Sequence, residues 1–265
     1  DPHSDYSPPE PYKSRFARSP YDGEIAYTDA MFGDVIERMR STGELDETLV
    51  VVTSDHGEAL GEHGETTHGL FIYDATTHVP LIMSHPKLPG NQRVDEVVGL
   101  VDVAPTALDL LGVSYGSDLD GRSLAGRLLS ADVSVEERPA YSEAMFPRVG
   151  FGWSELRALR GPNWRYVKAP RQELYDLEQD PGELQNLSDA EPELLAQRAA
   201  ELTATLPEVE VETYTRDGGG MDSEVEDALS ALGYAGSDLS GDATDGILAD
   251  PKDKISDLKM LREAE

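Results

Sequence analysis

The sequence predicts an α/β fold. Three observations carry that prediction: a helical stretch over 21–40, two short apolar runs at 49–54 (LVVVTS) and 79–84 (VPLIMS), and a second helical stretch at 101–112 (VDVAPTALDLLG). Their order is helix, strand, loop, strand, helix, which is α/β order. In the first helix Ile25, Phe32, Val35, Ile36 and Met39 recur at helical spacing, and Gly43 stands where the helix can close. LVVVTS has the signature of a strand buried on both faces, as in a parallel sheet, and VPLIMS reads the same way. PKLPGNQRVDEVVGL then predicts a loop leading to an edge strand around 94–99. In the second helix Asp102 is the expected N-cap, Pro105 lies in the first turn and Gly112 occupies the C′ position.

The pattern changes near residue 138. RPAYSEAM, ELRALRGPNWRYVK and QELYDLE are short strand-like runs separated by turn signals such as GPN, and they predict a small antiparallel sheet of hairpins. A turn and a helix of about sixteen residues follow, with Ser188 or Asp189 as cap. Beyond Leu206 the chain is acidic and Gly-rich, with RDGGGMD as a flexible break, EVEDALSALGY as one short helix and KDKISDLKMLREAE as the start of another. The expected organisation is therefore a core over 1–137, a small antiparallel-sheet and helix subdomain over 138–206, and a tail over 207–265. Trp153, Trp164 and Tyr166 are expected to pack the small sheet.

Twenty-two basic residues against fifty-two acidic ones give a formal charge of −30. That balance argues against nucleic-acid binding, because a phosphate-tracking surface needs Lys and Arg. It also makes an anionic substrate awkward unless a cation sits in the site. The absence of cysteine excludes disulfides, thiolate metal sites and a Cys nucleophile within this chain. No apolar run approaches the ~20 residues of a membrane span. The opening DPHSDYSPPEPY carries no signal sequence and reads as the interior of a longer protein, with any targeting segment outside it.

The chemistry gathers at 53–69, TSDHGEALGEHGETTHG, which holds three of the six histidines directly after the first apolar strand. In open α/β sheets ligands bind beyond the carboxyl ends of strands. Asp55 and His56 stand there, an oxygen and a nitrogen donor able to reach one metal ion, with the alternative of a capped loop. Gly57 is read as the residue that lets the chain turn sharply. Two ligands do not complete a metal site, so others must come from elsewhere.

TSDHGEALGEHG followed by HGLFIYD and VPLI resembles the sulfatase branch of the alkaline-phosphatase-like hydrolases. DPHSDYSPP and YDGEIAYTDAMFGDVIERM upstream, and VDVAPTALDLLG, DGRSL (120–124) and ELYDLEQDPGELQNL downstream, resemble further landmarks of that family in the same order. The resemblance covers roughly 1–205. It implies an alkaline-phosphatase-like, mostly parallel sheet flanked by helices, with a small C-terminal antiparallel-sheet subdomain plus helix. By the same resemblance Asp55 and His56 would ligate a divalent cation, Ca²⁺ first, with Mg²⁺, Mn²⁺ or Zn²⁺ as alternatives. His68, twelve positions beyond the second ligand, takes the place of the family's basic residue that contacts the sulfate and its bridging oxygen. His3 matches the histidine of the family's H-x-P-Y segment, although Asp5 replaces the usual proline. His63 and Glu58 are expected to support the others or to be structural, and His78 and His85 to be structural.

The implied activity is metal-dependent hydrolysis of sulfate esters. The alternatives are a phosphate or phosphonate monoester hydrolase, or a non-catalytic binding module. Such chemistry builds negative charge on the leaving oxygen, which a metal and histidines can neutralise. The formylglycine nucleophile of sulfatases arises in a C/S-x-P-x-R motif, and this chain contains none. The expectation is a C-terminal portion, inactive alone, whose nucleophile and remaining metal ligands lie outside it. The expected partner is the anionic ester substrate, with protein contacts through the C-terminal extension. The family resemblance implies a periplasmic or secreted location.

Overall fold

The computed structural model describes residues 2, 6–205 and 248–256. Its elements run, in chain order, α1 (Tyr12–Arg15), α2 (Pro20–Thr42), β1 (Val50–Thr53), α3 (Asp74–Thr77), β2 (Leu81–Ser84), α4 (Val103–Leu111), α5 (Ala125–Leu129), β3 (Ala140–Ala144), α6 (Phe146–Phe151), β4 (Leu156–Arg160), β5 (Trp164–Lys168), β6 (Glu173–Asp176) and α7 (Pro192–Thr205). They form two compact units, one of residues 1–56 and 79–137, the other of 57–78 and 138–265. No helix among the described residues is long and apolar enough to cross a membrane.

In the first unit α2 begins with Pro20 in its first turn and ends at Gly43, whose φ of 79° supplies the left-handed cap expected of it. The α/β order holds, but the two strands differ from expectation. β1 and β2 pair antiparallel, Val50 opposite Ser84 and Thr53 opposite Leu81. Neither is buried on both faces: β1 is half-buried, and β2 alternates, with Ile82 exposed. An apolar run encodes strand propensity, whereas strand direction depends on where the intervening chain returns. No strand forms over 94–99; that stretch is irregular, with Val97 buried.

Asp102 stands at the N-cap position of α4 as expected, but its side chain makes no cap to the helix. It is buried, and its carboxylate accepts the Gly99 amide at 3.0 Å and the Arg122 amide at 2.8 Å. The aspartate thus ties the turn before the helix to the DGRSL segment. Gly121 of that segment has no room for a side chain, because a Cβ would lie 1.9 Å from the Val101 carbonyl oxygen. Gly112 closes α4 in the left-handed conformation, as expected.

The second unit contains the small sheet, antiparallel throughout in the order β3-β4-β5-β6. Its strands alternate between two apolar layers. Leu156, Ala158, Val167 and Tyr175 pack with Leu70, Phe71, Ile72 and Tyr73 on one side. Leu159, Tyr166 and Leu174 pack with Leu195, Ala199 and Leu202 of α7 on the other. The period-2 alternation of a strand therefore serves two cores at once, which is why most residues of β4 to β6 are buried. Trp153 and Trp164 pack against these layers, and Arg198 lies 3.8 Å over the Trp164 ring. α7 starts at Pro192, later than a cap at Ser188 or Asp189 would place it. Asn186 explains the delay: its side-chain oxygen accepts the Leu174 and Ser188 amides, holding 186–188 as a turn against β6. The EVEDALSALGY helix and most of the expected final helix lie outside the described residues.

Candidate active site

Within the first unit, the chain leaves β1 through Ser54, Asp55 and His56. Ser54 Oγ donates to the His56 carbonyl at 2.6 Å, and Asp55 Oδ1 accepts the His56 amide at 3.1 Å. This tight turn sets the two side chains together, with His56 Nε2 3.8 Å from Asp55 Oδ2. The Asp55 side chain is 88% exposed. Oxygen and nitrogen donors side by side fit two positions of a divalent cation's shell. Among the described residues no group of three or more His, Asp or Glu is close enough to hold a metal. The pair is a partial donor set.

Gly57 belongs to the second unit, and its requirement differs from the one expected. Its φ is not in the left-handed region; the constraint is proximity. A Cβ at Gly57 would lie 2.3 Å from the Ala75 carbonyl oxygen, and the Gly57 amide donates to Thr76 O at 2.8 Å. Left-handed backbone appears further on, at Gly61, His63 and Gly64. The Ala59 amide closes the loop onto Thr67 O at 2.8 Å.

Inside this loop His68 Nδ1 lies 3.0 Å from Glu58 Oε1, both side chains largely buried. A carboxylate facing Nδ1 fixes the imidazole's orientation and its tautomer. His63 is placed differently. Its ring stacks on Tyr73, centroids 3.6 Å apart and planes 16° from parallel. Burial pushes its pKa below the ordinary histidine value, although Glu173 and the Gly182 backbone pull the other way. A neutral, stacked imidazole is a packing element, unsuited to holding an anion by charge. His3 lies outside the described residues. His78 is exposed, 3.8 Å from Asp74, and His85 accepts the Lys87 amide.

Sequence reasoning missed the polar frame that fixes this loop to the sheet. Buried Glu65 accepts the Leu70 and Phe71 amides at 2.8 and 3.2 Å. Arg165 of β5, with only 1% of its side chain exposed, donates to the Ile72 carbonyl, to Asp74 and to Thr77 Oγ1, and pairs with Glu183 at 2.7 Å. Glu183 also accepts the Asp74 amide at 2.7 Å, and burial raises its pKa to about 7 against the opposing pull of Arg165. Glu173 of β6 accepts the hydroxyls of Tyr73 at 2.9 Å and Tyr175 at 2.7 Å. The signal was present: an arginine and a glutamate at inward positions of the strand-like runs WRYVK and ELYD.

Comparison with known proteins bears on this geometry. The model of the family "N-sulphoglucosamine sulphohydrolase, C-terminal" matches residues 61–212, and that of the sulfatase family matches 1–113. The chain belongs to the sulfatase family. Arylsulfatase K of Mus musculus is 34% identical over 186 residues, covering 67% of this chain and 33% of the relative. The sulfatase-family chain thus spans about a third of the length of the curated relatives it matches. Among solved structures, the phosphonate monoester hydrolase of Agrobacterium radiobacter superposes with a TM-score of 0.62 at 28% identity, covering 71% of this chain and 40% of that one. A 2-O GAG sulfatase superposes at 0.60 with 26% identity, covering 72% and 42%. These neighbours support the alkaline-phosphatase-like α/β fold expected from the sequence.

Proposed function

We propose that this chain forms the leaving-group side of the active site of a metal-dependent sulfate ester hydrolase. The Glu58–His68 pair carries the reading: a largely buried carboxylate 3.0 Å from Nδ1 holds the imidazole in one orientation within the loop. Hydrolysis of a sulfate ester places negative charge on the departing oxygen, and an oriented imidazolium neutralises it or donates the proton. Asp55 and His56 would hold the divalent cation, which when bound supplies Lewis-acid polarisation of a sulfate oxygen. Oxygen ligands favour Ca²⁺ or Mg²⁺, and the imidazole admits Mn²⁺ or Zn²⁺. By its place in the H-S-D-Y segment, His3 would take part in the same chemistry. In this proposal the nucleophile, a formylglycine, and the remaining ligands come from sequence outside this chain. Local cations also explain how a chain of charge −30 would accept an anion.

The test is turnover by the complete protein of aryl sulfate, phosphate monoester and phosphonate monoester with added Ca²⁺, Mg²⁺ or Mn²⁺. Sulfate ester is expected to lead. Phosphonate or phosphate leading would replace this reading with the second one, which the phosphonate hydrolase neighbour favours. His68→Ala should lower kcat by about 100-fold and Glu58→Gln by about 10-fold. Calorimetry should show divalent-cation binding that Asp55→Ala abolishes; equal binding by both proteins would remove Asp55 from the metal site.

A further inference from the structure

Residues 249–255 return to the small sheet and fasten to it through backbone, ionic and apolar contacts. The Ala249 carbonyl accepts the Ser154 amide at 2.9 Å. Buried Asp250 accepts the Arg171 amide at 3.1 Å, and Arg171 Nη1 donates to both oxygens of Asp253 at 2.8 Å. Pro251 is buried, and Ile255 packs on the layer that holds Leu70 to Tyr73. Lys252 reaches inward: Nζ donates to Arg171 O at 3.0 Å, lies 3.1 Å from Asp250, and pairs with Glu173.

Glu173 is the junction. One carboxylate oxygen takes Lys252, and the other takes the Tyr73 and Tyr175 hydroxyls. Tyr73 in turn carries His63 stacked on its face, in the middle of the loop closed by Ala59 and Thr67. Burial and the neighbouring Glu173 raise the Tyr73 phenol's pKa, so it remains the donor in this contact at any working pH. A continuous set of contacts therefore runs from Lys252 through Glu173 and Tyr73 to His63.

We propose that residues 249–255 are a clasp that positions the loop bearing Glu58 and His68, with Lys252 and Glu173 acting as positioning residues through Tyr73. The physical reason is charge. Without Lys252 the buried Glu173 carboxylate loses its cation, and the tyrosine hydroxyls alone must satisfy it. Glu173 can then shift, and that movement releases Tyr73 from its fixed place beneath His63. The catalytic part of this proposal rests on the hydrolase reading above; the mechanical part does not.

Amide hydrogen exchange on the complete protein separates the two. Lys252→Ala is expected to speed exchange over residues 59–69 by about 10-fold while leaving α7, on the other face of the sheet, unchanged. Tyr73→Phe, which keeps the stacked ring and removes the hydroxyl, should do the same with a smaller change, and it serves if Lys252→Ala does not fold. Lys252→Arg should restore protection. Unchanged exchange over 59–69, or equal loosening of α7, would overturn the clasp. In sulfate ester turnover, Lys252→Ala should lower kcat by about 10-fold with KM held within about 2-fold. A loosened loop with kcat unchanged would overturn the positioning role. Absence of turnover in the unaltered protein would defeat the hydrolase reading and leave the exchange result to decide the clasp.

Discussion

The two units cover their apolar surface very differently. In the first, the 23-residue helix α2 buries only Gly23, and Ile25, Met31, Phe32 and Val35 stand exposed along it. In the second, a four-stranded sheet is packed on both faces and encloses Arg165, Glu173 and Glu183 within its contacts. The candidate site residues divide along the same line: Asp55 and His56 belong to the first unit, Glu58, His63 and His68 to the second. Local order around the Glu58–His68 pair is therefore a property of the small sheet's packing, while the Asp55–His56 pair depends on a short turn. Trp153 and Trp164 are the chain's two tryptophans and both lie in the second unit, so their fluorescence reports on it.

The sharpest way to break this contrast is Arg165→Ala. It strands Glu183, takes the nearer of two arginines from Asp74 and frees the Ile72 carbonyl, and should destabilise the second unit by about 3–5 kcal/mol in denaturant unfolding followed by tryptophan fluorescence. A loss below about 1 kcal/mol would mean that the arginine does not hold the loop to the sheet.

The next effect is pH-dependent. Glu183 is raised from 4.5 to about 7 in the folded state, so the native form retains a proton that the unfolded chain has already released. Its contribution is full below pH 4.5 and is lost as pH rises through 7, an effect of about 3 kcal/mol. His63 has the opposite sign: its lowered pKa gives stability that is lost as pH falls below the ordinary histidine range. Glu183→Gln should remove the decline on the alkaline side only. Unfolding midpoints of both proteins at a series of pH values would show it.

A smaller effect, about 1–3 kcal/mol, is expected from Gly57→Ala, because the added carbon must displace the Ala75 carbonyl. Thermal melts should register the change. Smallest of all is Phe32→Ser on α2, expected within about 0.5 kcal/mol because that ring is already exposed.

Much of the second unit was legible in the sequence. The hairpin runs and the GPN turn specify strands by local propensity, and β3 to β6 form where they predict. Gly43 and Gly112 were legible as helix ends because a left-handed cap is a one-residue requirement. The edge strand at 94–99 was misread because apolar alternation there lacks a partner strand to supply hydrogen bonds. Gly57 was assigned the wrong reason, since close approach to Ala75 is a contact across eighteen positions of chain that no local pattern reveals.

For the site, the sequence by itself determined which residue types were concentrated after β1, and the family resemblance suggested which of them could handle a cation and an anionic ester. Tertiary structure decided their standing. It paired His68 with Glu58 and stacked His63 on Tyr73, and it used HGLFIYD as one side of the sheet's core. It also drew Arg165, Glu173 and Lys252 into the frame behind the loop. The physical reason is range. Helix caps, turns and strand propensity are settled among neighbours in sequence, whereas burial, charge pairing and ring stacking depend on which distant segments share a face.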